Sequence, residues 1–354
     1  DGTHAWAFPE QEALVLYFTQ SRGTSTGLRV EERLAALFLG TPFDPLTAAP
    51  PLDPYLGLYW EGEGDFYRAI VRDGRDLALE VPGRAVAALD YIGEDRWKVR
   101  QEPANVLAFD RGEDGSVTGY HIGDHKEFRV TPASDLPSAD EVAARVAAAH
   151  HLERLADTGP VRLRGTLDLP KLDRHTQTTS WLAWPDRWRI DVGSDAEQSS
   201  VAFDGTVVRQ AIGGQAAVPL EGLAAELTVL DSTFRSFGDW RALGIPIHVV
   251  QRLLRDDEEA LIVRLGAPEA PATTLYVDWP SGLVKHLAGS TFLAGIGRTG
   301  QRVTYSDYRD VGGAMLPWRT KVELANPLIG TLESVVEEVE LGSETPAGLF
   351  ELRD

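Results

Sequence analysis

Residues 300–323, GQRVTYSDYRDVGGAMLPWRTKVE, decide how the rest of the chain is read. Val303 and Tyr305, then Trp318, Thr320 and Val322, fall at alternate positions on either side of Val311-Gly312-Gly313. A period of two gives each segment one face suited to a core, and the glycine pair supplies a turn, so the stretch predicts two long antiparallel strands. Similar pairs recur through the C-terminal half, which predicts a large antiparallel sheet. Tyr305, Asp307 and Tyr308 look catalytic in isolation but read better as sheet positions.

Working back from this hairpin, the region opens on a helix. Ser138 and Glu141 form a capping box, and Val142, Val146, Ala149, Leu152 and Leu155 continue one apolar side to a stop at Gly159-Pro160. His150 and His151 are adjacent and lack the HExxH spacing of a zinc protease; they read as one surface and one half-buried histidine. Strands are expected at 161–169, 176–184, 187–192, 199–203, 207–210, 247–254, 261–265, 273–279, 283–287, 301–308, 316–324 and 331–341. Residues 220–227 and 232–242 have helical character and are expected to form short lid helices over one sheet face. A bent sheet with an incomplete second wall leaves a concave apolar face for a ligand. The candidate ligand-binding residues are Trp181, Trp184, Trp188, Phe203, Phe234, Phe237 and Trp240. Ordinary core is the competing reading for each of them. Only the helical spacing of Phe234, Phe237 and Trp240 on the expected lid favours a site.

This region resembles the LolA/LolB-like fold, the half-barrel of periplasmic lipoprotein carriers and their relatives. The likeness rests on the leading helix, Gly165-Thr166-Leu167, PDRWRIDV at 185–192, FDG at 203–205, TLYVDWPSGLVKHL at 274–287, the hairpin itself and Leu349-Phe350-Glu351-Leu352. It implies a curved half-barrel over 138–354. The same fold serves many apolar ligands, so a carrier's function does not follow from it. The GxGxxG at 295–300 leads into an expected strand rather than a helix, so it reads as a turn and not a nucleotide site.

Residues 54–137 read differently. Short strands are expected at 54–59, 66–72, 77–81, 85–92, 96–101, 106–110, 117–122 and 128–130, with Asp73-Gly74, Pro82-Gly83, Gly93-Glu94 and Asp114-Gly115 as turns. That spacing predicts a small antiparallel barrel. Asp110 to Gly115 begins like a calcium loop but has Gly112 and His121 where carboxylates are needed, so a tight turn is expected. His121 and His125, four apart on a strand entering a turn, need not converge on a metal. Asp53 to Tyr59 and Asp114 to Gly119 resemble the opening and closing motifs of the lipocalin-like domain that follows the catalytic domain in many serine beta-lactamase-like hydrolases.

At the N-terminus, residues 4–8 and 13–19 read as strands around a turn at 9–12, and ALVLYFT is apolar on both faces, as a covered strand is. Val30, Leu34, Leu37 and Phe38 form the stripe of a short helix. Two strands and a helix bury too little to stand alone, so either more sheet precedes Asp1 or the hairpin packs on the next domain. DGTHAWAFPEQEALVLYFTQSRG with GLRVEERLAALFLG resembles the last strands and terminal helix of serine beta-lactamase-like hydrolases. That family's chemistry requires Ser-x-x-Lys. The five lysines, Lys98, Lys126, Lys171, Lys285 and Lys321, follow Asp95, Gly123, Asp168, Gly282 and Trp318 at that spacing, never serine. The resemblance therefore implies a nucleophile upstream of Asp1, and no catalytic residue is assigned here.

Net charge is −20, which opposes phosphate backbones and makes nucleic acid an unsuitable partner. With no cysteine, disulfides and thiolate metal sites are excluded. No apolar run approaches the roughly 20 residues of a transmembrane helix, and no cofactor or metal motif survives the spacing tests. The expected organisation is a hydrolase tail at 1–40, a proline-rich linker at 41–53, a lipocalin-like β domain at 54–137 and a LolA-like half-barrel at 138–354. The fold class is mainly β, with an N-terminal remnant of an α/β hydrolase domain. The expected function is a non-catalytic region that binds a lipid or other apolar ligand beside an upstream catalytic domain, in the periplasm or secreted. Two alternatives stay open: part of an active serine hydrolase, or a structural or interaction module of the cell envelope.

Overall fold

Strand periodicity and turn chemistry build two β architectures. The computed structural model describes residues 4–8, 12–17, 49–61, 67–73, 76–82, 86–100, 102, 104–131, 134–193, 198–255, 258–266, 273–293, 297–326 and 328–352. These divide into two units, one within 1–80, 86–129 and 292–299, the other within 81–85, 130–291 and 300–354.

In the first unit, β1 (His4–Phe8) and β2 (Ala13–Tyr17) pair antiparallel as a two-stranded sheet. Leu14 and Leu16 are 64% and 53% exposed, so this face of β2 is not covered by the described residues. A two-stranded ribbon offers each strand one neighbour and no second layer. The helix expected from Val30 to Phe38 lies outside the described residues, as does most of the 41–53 linker.

Eight strands form a closed antiparallel barrel: β3 (Gly57–Trp60), β4 (Arg68–Asp73), β5 (Asp76–Glu80), β6 (Ala87–Gly93), β7 (Arg96–Val99), β8 (Val106–Arg111), β9 (Val117–Ile122) and β10 (His125–Arg129). Closure comes from β10 against β3, Arg129 opposite Tyr59. The calcium-like stretch is a turn, as its missing carboxylates required: Gly115 takes φ +80° and Asp114 Oδ1 accepts from the Ser116 N–H at 2.9 Å. An eight-stranded barrel has an interior that side chains can just fill. Here Tyr55, Tyr59, Trp97, Phe109 and Tyr120 fill it, with Tyr55 and Phe109 edge-to-face at 4.9 Å. This barrel is a packed core.

The second unit carries a curved antiparallel sheet, thirteen-stranded among the described residues. Helices α1 (Ala139–His150) and α2 (Leu155–Thr158) precede it. Its first half is β11 (Val161–Leu169), β12 (Arg174–Ala183), β13 (Arg187–Val192), β14 (Ser199–Phe203), β15 (Val208–Ala211) and β16 (Val218–Pro219). Helices α3 (Gly222–Leu230) and α4 (Thr233–Phe237) follow. The second half is β17 (Ile247–Arg255), β18 (Glu258–Leu265), β19 (Thr273–Asp278), β20 (Val284–Leu293), β21 (Gly297–Val311), β22 (Ala314–Leu324) and β23 (Thr331–Leu341). The order runs from β16 back to β11, then β23 back to β17. The first and last strands of the meander thus join at its centre, Leu163 opposite Val339. The hairpin β21–β22 turns at Gly312 and Gly313, both with positive φ, and sets Val303 opposite Val322 and Tyr305 opposite Thr320.

One face of this sheet holds the main core. Val142 and Val146 of α1, Leu155 of α2 and Phe234 and Phe237 of α4 meet Leu182, Leu275, Val303 and Tyr305 from the strands. The other face carries a small cluster, Trp181 and Ala183 with Leu349 and Phe350, and ion pairs such as Arg164–Glu338 at 3.1 Å. The single long helix expected to Gly159 is interrupted: His151 takes φ +49° and ends α1. His150 is buried rather than half-buried, while His151 lies at the surface, 3.1 Å from Glu153.

Candidate functional site

Helix α3, GLAAELTVL, has one charged residue, Glu226, in nine. A helix without a polar face must cover apolar surface on most of its sides or leave some uncovered. Leu227 is buried, yet Ala225 and Val229 line an open cleft of about 710 Å³. Phe203 and Val208 of the sheet also line it, with Leu220 and Gly266 among the further apolar residues. The segment before α3 is tied to the sheet by the Leu220 N–H donating to Val208 O at 2.9 Å. After α3, Ser232 caps α4, its Oγ accepting from the Arg235 N–H at 3.4 Å.

Three charged residues border the cleft: Glu221, Glu226 and Arg235. Arg235 is already engaged, donating to Asp186 Oδ2 at 2.6 Å. Burial pushes the Asp186 carboxyl above its usual range, and the guanidinium opposes that shift. Glu221 and Glu226 are exposed.

The seven aromatic residues selected from the sequence do not share one wall. Trp188, Phe203, Phe234, Phe237 and Trp240 belong to the buried core, and Trp184 is half-buried against it, 6.1 Å from Phe234. Of the seven, Phe203 alone lines the cleft. Trp181 packs on the other sheet face with Leu349 and Phe350. Phe234, Phe237 and Trp240 fill the space beneath the helices; the space left open lies beside α3. Sequence reading missed Ala225, Val229, Leu220 and Val208, although the predominantly apolar composition of α3 was the signal that could have found them.

Between α3 and α4 lies a carboxylate without an ion-pair partner among the described residues. Asp231, the C-cap of α3, has both carboxylate oxygens sealed from solvent, although the residue as a whole is half-buried. Burial raises its pKa to about 7; Thr291 and Gln301 are close enough to moderate the shift. Tyr305 is raised as well, by burial first and by Asp231 second. Tyr308 donates its hydroxyl to Val284 O, and Asp307 pairs with Arg309 at 2.8 Å. Three residues that look catalytic in the sequence thus serve core, backbone and surface.

In the barrel, Glu61, His125 and Glu127 bring atoms able to hold a metal within 4.8 Å of one another. Arg68 sits among them, ion-paired with Glu127 and 3.5 Å from Glu61. Its guanidinium supplies the positive charge that the two carboxylates require. His121 does not join this group: it pairs in register with Lys126 and lies 3.5 Å from Asp110.

No protein-family model and no curated protein matches the chain. Several solved structures are similar over the larger part of it. A LolA superfamily protein from Nitrosomonas europaea is 11% identical, covering 61% of this chain and 98% of its own, with a TM-score of 0.43. A DUF1329 family protein from Desulfovibrio piger is 8% identical over 60% of this chain and 98% of its own, TM-score 0.40. An outer membrane lipoprotein-sorting protein domain from Vibrio parahaemolyticus is 6% identical over 60% and 95%, TM-score 0.41. At these scores the likeness carries no functional information.

Proposed function

We propose that the second unit binds an apolar or amphipathic ligand, with its chain lying in the cleft beside α3. The observation that carries this reading is the cleft itself: about 710 Å³, lined by Ala225 and Val229 of a helix with no polar face and by Phe203 and Val208 of the sheet. That volume falls in the range of small-molecule sites, which are concave and mostly apolar. A binding role agrees with the lack of a Ser-x-x-Lys in the sequence. The test is binding of N-phenyl-1-naphthylamine followed by its fluorescence, in the parent protein and in Val229→Trp, which fills the cleft. Saturable binding lost in the variant supports the reading. Equal binding in both, or none in the parent, overturns it.

The wider setting rests on the resemblances of residues 1–40 and of the two barrel motifs. On that reading this chain is an accessory region of a serine beta-lactamase-like hydrolase of the bacterial cell envelope. Among the described residues no helix is long and apolar enough to cross a membrane. The chain by itself should not react with a fluorophosphonate or penicillin probe, and labelling would overturn the accessory role.

A further inference from the structure

The charges around the cleft are unevenly matched. Among the described residues its one cationic lining residue, Arg235, is neutralised by Asp186 at 2.6 Å. Its two carboxylates, Glu221 and Glu226, are exposed and have no ion-pair partner among the described residues. Glu221 also stands at the N-cap of α3, and its side chain does not cap the helix. It puts a negative charge beside the free N–H groups where an anion would otherwise be favoured. The chain as a whole carries −20, so the long-range field has the same sign as the mouth of the cleft.

From this geometry we infer that the cleft selects a free amphiphile with a cationic head group, its apolar chain against Val229 and Phe203 and its head near Glu221 and Glu226. The inference rests on the ligand-binding reading above and adds the chemical class of the ligand. An anionic head would meet two exposed carboxylates and an Arg235 whose charge is already matched by Asp186. A cationic head meets two carboxylates that need no rearrangement. Because these carboxylates are exposed, their effect is screened: the preference should be largest at low salt and shrink as the Debye length falls from about 10 Å at 0.1 M to about 3 Å at 1 M.

The experiment compares three dodecyl probes below their micellar concentrations by calorimetry: dodecyltrimethylammonium, dodecyl maltoside and dodecanoate. The expected result is cationic tighter than neutral and neutral tighter than anionic, with roughly tenfold between the extremes at low salt, as a screened pair of surface charges supplies. In the double variant Glu221→Gln, Glu226→Gln the ratio of dodecyltrimethylammonium to maltoside affinity should collapse toward one. Anionic binding equal to or tighter than cationic, or a double variant with the parent's ratio, overturns the inference and leaves the cleft reading standing. Cationic binding that survives Val229→Trp is surface attraction to an acidic protein and also overturns it. Loss of the cleft reading has a different signature: the neutral probe fails to bind the parent, or binds Val229→Trp equally well.

Discussion

The imidazole of His150 lies nearly flat on the ring of Phe237, centroids 4.7 Å apart and planes 18° from parallel. Its Nδ1 donates to Met315 O at 3.0 Å, and its Nε2 accepts from the Val284 N–H at 3.2 Å. One imidazole thus ties α1 to α4, β20 and β22, and it can do so only in the neutral form with the proton on Nδ1. Burial lowers its pKa to about 4. The unfolded chain, near 6.5, binds the proton first, so this residue's contribution to stability is full above pH 6.5 and is lost as pH falls toward 4. The span is worth up to roughly 3 kcal/mol at 1.36 kcal/mol per pH unit. Urea unfolding of His150→Gln should show lower stability at pH 7.5 but a flatter profile between pH 6.5 and 4. A variant that keeps the parent's slope would show that His150 does not titrate in this window.

Asp231 works in the opposite sense. Its carboxyl is raised from 3.8 to about 7, so the folded state holds a proton that the unfolded state gives up. Stability from this residue is full below pH 4 and declines until about pH 7. Asp231→Asn should leave stability at pH 4 unchanged and raise it at pH 8, by at most roughly 4 kcal/mol. In the parent protein the two slopes oppose each other between pH 4 and 6.5, and each variant should unmask the other. No gain at pH 8 would show that the carboxylate is compensated.

Gly165 has a steric reason to be glycine. A Cβ built there would meet Val335 O at 2.0 Å, where β11 shifts register against β23 between Arg164 and Gly165. Backbone oxygen cannot swing aside as a side chain can. Gly165→Ala should therefore cost on the order of 1–3 kcal/mol, as overpacking in a filled interior does. A change in urea midpoint equivalent to less than about 0.5 kcal/mol, the scale of ordinary surface substitutions, would contradict the close approach.

Two tyrosines inside the barrel should respond differently to loss of the hydroxyl. Tyr59 Oη donates to Tyr55 O at 2.7 Å, whereas the buried Tyr120 Oη has no hydrogen-bond partner among the described residues. Removing a made hydrogen bond costs about 1 kcal/mol, and removing an unmade one relieves a desolvated group. Tyr59→Phe should be destabilised, with Tyr120→Phe neutral or more stable. The reverse ranking would mean that Tyr120 is the bonded member of the pair.

Much of this was readable before any coordinates. Alternation located β11, β13, β14 and β23 at both ends, and turn glycines located the hairpins of the barrel, because period and turn residue are local properties. The aromatic selection fared differently. Trp181 and Leu182 are neighbours in sequence yet lie on opposite sheet faces, one with Phe350 and one in the main core. Large rings near a lid are as useful for filling space as for lining it, and nothing local distinguishes the two. The break at His151 was also illegible: the apolar period runs through it, and the left-handed residue follows a His150 whose partners, Val284 and Met315, are far away in sequence.

The sequence by itself determined that the chain is mainly β, where most of its strands fall (though 295–300, read as a turn, is already strand from Gly297), that its lysines lack the serine spacing of a hydrolase nucleophile, and that its charge is strongly acidic. Tertiary structure alone decided that the barrel is filled, that β11 meets β23, that Arg235 is silenced by Asp186 and that the open space lies beside α3. The physical reason is range. Periodicity and turn chemistry act over a few residues, whereas a cleft or a buried charge is made by side chains far apart in sequence, such as Val208 with Val229 and Asp186 with Arg235.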